Sequence, residues 1–289
     1  MKVIVQFSGG KDSTACLLWA TNSYKKENII AVFCDTGWES PITLQYIDEV
    51  IKKTGVEFIT LKGERDFIEL AKYKKRFPST KARFCTDFLK VRPFIDWLLD
   101  YKSDTIIVQG IRSQESAGRA LMLPECTFFK YYFEPYNIKQ ISEGKKPKFQ
   151  TYRKKEVKEF VKKYVADIFR PFFNSTANEV MTYIKDNGLK ANPLYYIGFK
   201  RVGCFPCIMC CHSEIKLIMK HFPERIKEIE KLEVERGYVL FPPNKIPKRF
   251  MKNKSYPFIT DIVEYLKDND GQMFVGEGKS CMSVYNICE

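Results

Sequence analysis

The chain has 289 residues, 45 % of them hydrophobic, enough for one large domain or one domain with an appendage. It holds no apolar run of membrane-spanning length, and its first residues lack the segments of a secretory signal, so a cytoplasmic protein with no membrane partner is expected. A net charge of +13 draws polyanions, either a nucleic acid or an anionic nucleotide, although a solvated basic surface without a partner gives the same count.

Residues 3–7, Val-Ile-Val-Gln-Phe, read as a buried strand. A helix over 12–25 follows, with Ala15, Leu17, Leu18 and Trp19 available for a core face, then a second strand at 29–33. Proline in its first turn opens a helix over 41–53. A third strand at 56–61, helices at 66–74 and 86–99, and a fourth strand at 105–108 extend the pattern. Strands alternating with helices predict an α/β fold, a parallel twisted sheet with helices on both faces. Ligands of such sheets sit at the carboxyl ends of strands. The polar loops at 8–13, 35–40 and 110–119 all follow strands, and that agreement singles them out.

The pattern changes after residue 120. Residues 121–160 form a basic, aromatic insertion that includes Phe128-Phe129-Lys130-Tyr131-Tyr132-Phe133 and the turn-like Gly144-Lys145-Lys146-Pro147-Lys148. Interleaved charge and rings suit nucleic-acid binding; a basic edge with its aromatics in the core is the blander alternative. A serine-capped helix is expected over 175–187, and a single lysine- and glutamate-rich helix over about 213–236. Residues 1–200 are expected to form a nucleotide-binding α/β domain, and 201–289 a cysteine-rich, mainly helical region.

The first loop, Ser8-Gly9-Gly10-Lys11-Asp12-Ser13, is not the P-loop of NTPases, because Val5 stands where that motif needs glycine. It still has the parts of an anion nest. Gly9 and Gly10 let several N–H groups converge, the next helix adds its N-terminal charge, and Lys11, Ser8 and Ser13 add donors. Asp12 opposes phosphate, but can cap the helix or help hold Mg²⁺.

Ser-Gly-Gly-Lys-Asp-Ser closely resembles the pyrophosphate loop of the adenine nucleotide α-hydrolase superfamily, which includes ATP pyrophosphatases and phosphoadenosine phosphosulfate (PAPS) reductases. Asp35-Thr36-Gly37-Trp38-Glu39-Ser40-Pro41-Ile42-Thr43 looks like the stretch that surrounds the nucleotide in PAPS reductase-like proteins. Gly110-Ile111-Arg112-Ser113-Gln114-Glu115-Ser116-Ala117-Gly118-Arg119 resembles a third element of that family. The resemblance implies nucleotide contacts from residues 8–13, Asp35, Thr36, Gly37, Glu39, Gly110, Arg112, Glu115 and Arg119. Both arginines offer planar forks for phosphate or sulfate.

Ten cysteines in a reducing compartment are not a disulfide framework. Cys16 and Cys34 read as buried small hydrophobes. Cys204, Cys207, Cys210 and Cys211 crowd into eight residues, which packing does not require. Cys-x-x-Cys is common to zinc, redox and iron–sulfur sites. Cluster-bearing members of the family pair a Gly-Cys-x-x-Cys with a cysteine ahead of a Lys-x-x-Pro helix, and Cys85, Lys90, Pro93, Cys204 and Cys207 are similar. The resemblance implies a [4Fe–4S] cluster on Cys85, Cys204 and Cys207, with Cys210 the first choice for fourth ligand, then Cys211, Cys288 and Cys281. The departure is Thr86, where those reductases carry a second cysteine. His212 could complete a zinc site instead.

The full loop, kept intact, favours ATP with Mg²⁺ and resembles the sulfur-inserting branch, which includes tRNA thiolases and DNA phosphorothioation enzymes. The expected enzyme cleaves ATP to AMP and pyrophosphate, with Lys11, Asp12 and Arg112 at the reacting phosphates. It activates a tRNA or DNA acceptor and takes sulfur, through the cluster or a cysteine, from a persulfide, sulfide or sulfonucleotide donor. A PAPS or APS (adenosine phosphosulfate) reductase with a thioredoxin-like reductant is the alternative, with Cys288 or Cys281 as nucleophile. A non-catalytic nucleotide- or cluster-sensing regulator is the third reading.

Overall fold

The computed structural model describes residues 1–80, 82–252 and 255–268. Six strands form one sheet: β1 (Lys2–Gln6), β2 (Ile29–Asp35), β3 (Glu57–Lys62), β4 (Thr105–Val108), β5 (Glu125–Thr127) and β6 (Ala166–Phe169). Their order is β3-β2-β1-β4-β6-β5, all parallel except the β5–β6 pair. The connection reverses direction at β1, which lies between β2 and β4, so a crevice opens beyond the carboxyl ends of β1 and β4.

Alternation along the strands fills both faces. Val3, Val5, Ile29 and Ala31 pack with Leu17 of α1 (Lys11–Ser23) and Ile47 of α2 (Pro41–Thr54). Ile4, Ile30, Val32 and Ile107 pack on the other face with Phe94, Ile95 and Leu98 of the helix Arg92–Tyr101. Burial on both faces explains why these strands read as continuous apolar runs. A further core joins Trp38, Leu89 and Phe67 of α3 (Phe67–Lys74) to Ile215, Ile229 and Ile262 of the helical C-terminal part.

Several expectations change in detail. The helix expected over 86–99 is a short turn (Phe84–Thr86), a π-turn (Asp87–Val91) and then Arg92–Tyr101. Pro93 has no N–H to donate, and the widened turn instead carries the Arg92 N–H to the Asp87 carbonyl. The helix expected over 175–187 is Ala177–Asp186, capped by Thr176 in a reciprocal box with Glu179 rather than by Ser175. The one helix expected over 213–236 is two, His212–His221 and Pro223–Arg236, because Pro223 starts a new helix. In the insertion, Phe129 and Tyr132 are core residues, so the blander reading holds for them. No helix among the described residues is long and apolar enough to cross a membrane.

Candidate functional site

The phosphate loop lies at the carboxyl end of β1 and opens α1. Gly9 has φ of 73°, and a Cβ there would meet the Ile47 side chain at 2.9 Å. The Ser13 hydroxyl accepts the Ser8 N–H (3.2 Å) and donates to the Gly10 carbonyl (3.0 Å), which draws the loop into a tight cradle. Gly10 is the N-cap of α1 and brings no side chain to it, so the helix start has room for an anion.

Asp12 does not cap the helix. It is fully buried, with Lys11 Nζ at 2.6 Å and Arg112 Nε at 2.5 Å. Each carboxylate oxygen therefore has a cation, which leaves Asp12 occupied as a ligand for Mg²⁺. Two cations on one carboxylate leave a surplus positive charge beside the cradle. The fold thus brings Lys11, Asp12 and Arg112 together, as the sequence reading expects of the reacting-phosphate site. Gly110 makes this approach possible: a Cβ there would lie 2.6 Å from the backbone of Asp12 and Ser13.

Glu115 is turned toward its own loop and holds Arg119. Its carboxylate accepts the Arg112 N–H at 2.9 Å and pairs with Arg119, which is buried. Gly37, at φ 69°, makes the sharp turn after β2, and its N–H bonds to Asp35 at 2.9 Å. Burial raises the Asp35 pKa, but the Lys62 partner and the Gly37 N–H outweigh it and hold the carboxyl below its usual range. Glu39 is turned inward, accepting from the Thr36 hydroxyl (2.6 Å) and the Trp38 N–H (3.1 Å). Burial pushes its pKa up, against Lys90 and the Thr36 hydrogen bond.

Cys85, Cys204 and Cys207 line one cavity of about 50 Å³ with Thr36, Lys90 and Arg201. Burial drives the Cys204 thiol up to about 12, opposed by the nearby Lys90 charge. Cys85 is also raised by burial, with Arg83 and Lys90 pulling against it. Three thiols and several cations in one cavity fit an anionic thiolate-bound cluster at three of its corners. Cys210 does not line that cavity: it is 3 % exposed and packs in the core beside Ile208 and Ile215. Among the described residues no three His, Cys, Asp or Glu groups converge as a single metal ion would require. His212 instead pairs Nε2 with the Lys245 carbonyl at 2.7 Å. Cys211 lies against the Ser213 hydroxyl (2.8 Å) at the start of a helix. Cys16 is buried as expected, and Cys34 is partly buried with Sγ 3.6 Å from the Lys90 carbonyl. Cys281 and Cys288 lie outside the described residues.

The nucleotide loop and the cysteine loop are physically joined. Glu39 and Cys204 pair as an antiparallel bridge, the Phe205 N–H bonds to the Trp38 carbonyl (2.7 Å), and Trp38 Nε1 donates to the Pro206 carbonyl (3.0 Å). The Arg225 guanidinium stacks 3.7 Å from the Trp38 ring. A second clamp comes from residues 192–195. Asn192 donates to the Gly9 carbonyl (3.2 Å) and to the Thr43 hydroxyl (3.1 Å), and the Lys11 N–H donates to the Tyr195 hydroxyl (3.1 Å). Sequence reasoning missed Asn192, Tyr195, Trp38 and Arg225. Only the Asn-Pro pair at 192–193, a turn signal beyond the helix expected over 175–187, hints at one of them.

A mostly parallel sheet whose connections reverse at β1, with a glycine-rich loop opening a helix at the switch point, defines a Rossmann-like α/β protein. More narrowly, the chain belongs to the phosphoadenosine phosphosulfate reductase family, whose domain model matches residues 2–210. It is 30 % identical over 305 aligned positions to an uncharacterized 37.8 kDa protein of Escherichia phage 186, covering 86 % of this chain and 81 % of that one. Among solved structures it is similar to the PAPS reductase of Candida auris, with TM-score 0.45, 15 % identity and coverage of 72 % and 83 % of the two chains. It is also similar to the U34-tRNA thiolase of Methanococcus maripaludis with its [4Fe–4S] cluster, with TM-score 0.43, 15 % identity and coverage of 100 % and 84 %.

Proposed function

We propose that this chain is an ATP pyrophosphatase that activates an acceptor for sulfur insertion, with tRNA or DNA as the acceptor. One observation supports this reading above others: a chain with an unaltered phosphate cradle also has a three-cysteine cavity lined by Thr36 of the 35–40 nucleotide loop, which pairs with the cysteine loop through Glu39 and Cys204. A cradle for a β,γ-pyrophosphate has no use with a sulfonucleotide, which lacks one.

The N–H groups of residues 8–13, with Lys11 and Ser13, hold the pyrophosphate, and Mg²⁺ arrives with the nucleotide. An acceptor oxygen attacks the α-phosphorus. The bond from that phosphorus to the bridging oxygen breaks, and pyrophosphate leaves with the electron pair. The cradle, Lys11 and Arg112 stabilise the charge that develops. Hydrosulfide sulfur then bonds the activated acceptor atom, the bond to the AMP oxygen breaks, and AMP and a proton leave. A persulfide donor supplies the hydrosulfide, reduced by two thiols that become a disulfide. Cys85, Cys204 and Cys207 would hold three corners of a [4Fe–4S] cluster, which when bound supplies thiophilic iron. Their place beside Thr36 would set that centre against the nucleotide.

The test is calorimetry on anaerobically purified protein, comparing ATP with Mg²⁺ against APS and PAPS. ATP is expected to bind preferentially, and Lys11→Ala to weaken it at least about tenfold. Preference for APS or PAPS would overturn the reading in favour of a reductase. Iron and sulfide analysis of Cys207→Ser checks the cluster: loss of both is expected.

A further inference from the structure

Across the Asp87–Val91 turn from the cysteines lies a second cavity, of about 270 Å³, and Leu89 lines both. It opens beyond the carboxyl end of β3, where Leu61, Lys62 and Gly63 form one side. One wall is a stack of planar groups: the Arg92 guanidinium lies 3.9 Å from the Phe88 ring centre and 4.6 Å from that of Tyr152. The Asp96 carboxylate holds this wall, accepting from the Tyr152 hydroxyl at 2.9 Å and from Arg153 at 2.9 Å. Lys62 and Arg65 stand on the lining as further cations. Lys62 Nζ is also 2.9 Å from Asp35 of the nucleotide loop, so this cavity touches the nucleotide site as well as the cysteines.

The cavity is not a second place for ATP. The phosphate cradle is two strands away, ~10 Å along the sheet. The volume falls below the ~300–1,000 Å³ that encloses a whole drug-sized ligand, and suits one base with its sugar. Planar arginine and aromatic groups are the surface on which unpaired bases stack, and cations at the rim are what their phosphates need. Tyr152 comes from the basic insertion, which also carries the exposed Lys139, Lys145, Lys146 and Lys148.

We propose that this cavity seats one nucleotide of a single-stranded polynucleotide acceptor. The base lies against the Phe88–Arg92–Tyr152 wall and the backbone phosphates meet Lys62 and Arg65. This rests on the ATP-dependent reading above, and adds where the acceptor binds.

The experiment is photo-crosslinking of the full chain with two probes, a short single-stranded RNA carrying 4-thiouridine and a DNA of matching sequence carrying 4-thiothymidine. Adducts are mapped by mass spectrometry, and ATP binding and pyrophosphate release are measured on the same samples. Adducts on Phe88 or Tyr152 are expected, falling about tenfold in Arg92→Gln and in the rim variant Arg65→Glu, with ATP binding unchanged. The probe that gives them identifies RNA or DNA as the source. No adduct, adducts confined to residues 127–149, or yields unchanged in both variants would overturn the proposal. Adducts at Tyr152 without ATP binding would uphold this cavity and sink the pyrophosphatase reading. Pyrophosphate release with adducts elsewhere would do the reverse.

Discussion

The phosphate loop and the cysteine loop both flank the 35–40 nucleotide loop at the sheet ends, yet they are completed by different means. In the phosphate loop the buried carboxylate already has its partners inside the fold, with Asp12 held between Lys11 and Arg112 and a positive charge left over for an anion. In the cysteine loop the backbone is matched, through Trp38 and Phe205, but the thiols are not: burial drives Cys204 up to about 12. A buried thiol ionises only when a compensating positive centre arrives, so if a cluster is held there its binding would be coupled to proton release. The first loop is ready for its ligand; the second has a ready backbone and a chemistry that waits for one.

The largest effect should come from breaking the charge match. Asp12→Ala leaves Lys11 and Arg112 without their carboxylate, and both cations are largely buried. A loss of about 3–5 kcal/mol in urea unfolding is expected. A loss of no more than about 1 kcal/mol, typical of an exposed pair, would mean that the two loops do not differ in this way.

The region behind the cysteines handles a buried acid differently. Glu233 is fully buried and accepts the Leu240 N–H (2.8 Å) and the Ile259 N–H (2.6 Å). Burial raises its pKa to about 7, with those two bonds opposing and Asp261 adding to it. The folded value lies above the unfolded one of ~4.3, so the protonated form is the one that folding favours. The stabilisation is full below the unfolded pKa and is lost as pH rises through about 7, on the order of 3 kcal/mol. Unfolding midpoints of the parent protein should therefore fall relative to Glu233→Gln between about pH 4 and pH 8. Parallel pH curves for the two proteins would refute it.

Gly110 sharpens the comparison from the phosphate side. Its Cβ in Gly110→Ala would press on backbone, not on a yielding side chain. The expected cost is about 1–3 kcal/mol with weaker ATP binding, read by urea unfolding and calorimetry. Unchanged affinity would show that the approach of β4 to α1 is not what shapes the cradle.

Residues 8–13, 35–40 and 110–119 were legible because each is a contiguous motif directly after a strand, and the alternating pattern placed those strands in one sheet. What joins the motifs was not legible. Asn192 reaches Gly9, and Arg225 reaches Trp38, across more than half of the chain, and neither contact leaves a local trace. The place of Cys210, the first choice for a fourth ligand, was not legible either: a turn closed by the Cys210 N–H on the Cys207 carbonyl (2.9 Å) accompanies a side chain packed in the core. β5 was missed because three residues carry too little periodicity, and β6 because Asp167 interrupts its apolar run, where the equally short β4 reads Thr-Ile-Ile-Val.

The smallest expected effect tests the join itself. Arg225 Nε donates to the Phe205 carbonyl at 2.7 Å while its guanidinium stacks on Trp38, so one side chain ties the cysteine loop to the nucleotide loop. Arg225→Ala should cost only about 1 kcal/mol, the sum of a modest hydrogen bond and a stacking contact. Its signature is local. The Phe205 amide, bonded to the Trp38 carbonyl, should exchange faster with solvent, while the Thr14 amide, bonded to the Gly10 carbonyl in the phosphate loop, should not change. Equal acceleration at both would mean that the two loops open as one unit. Acceleration at neither would mean that the bridge between Glu39 and Cys204 holds the loops together without the arginine.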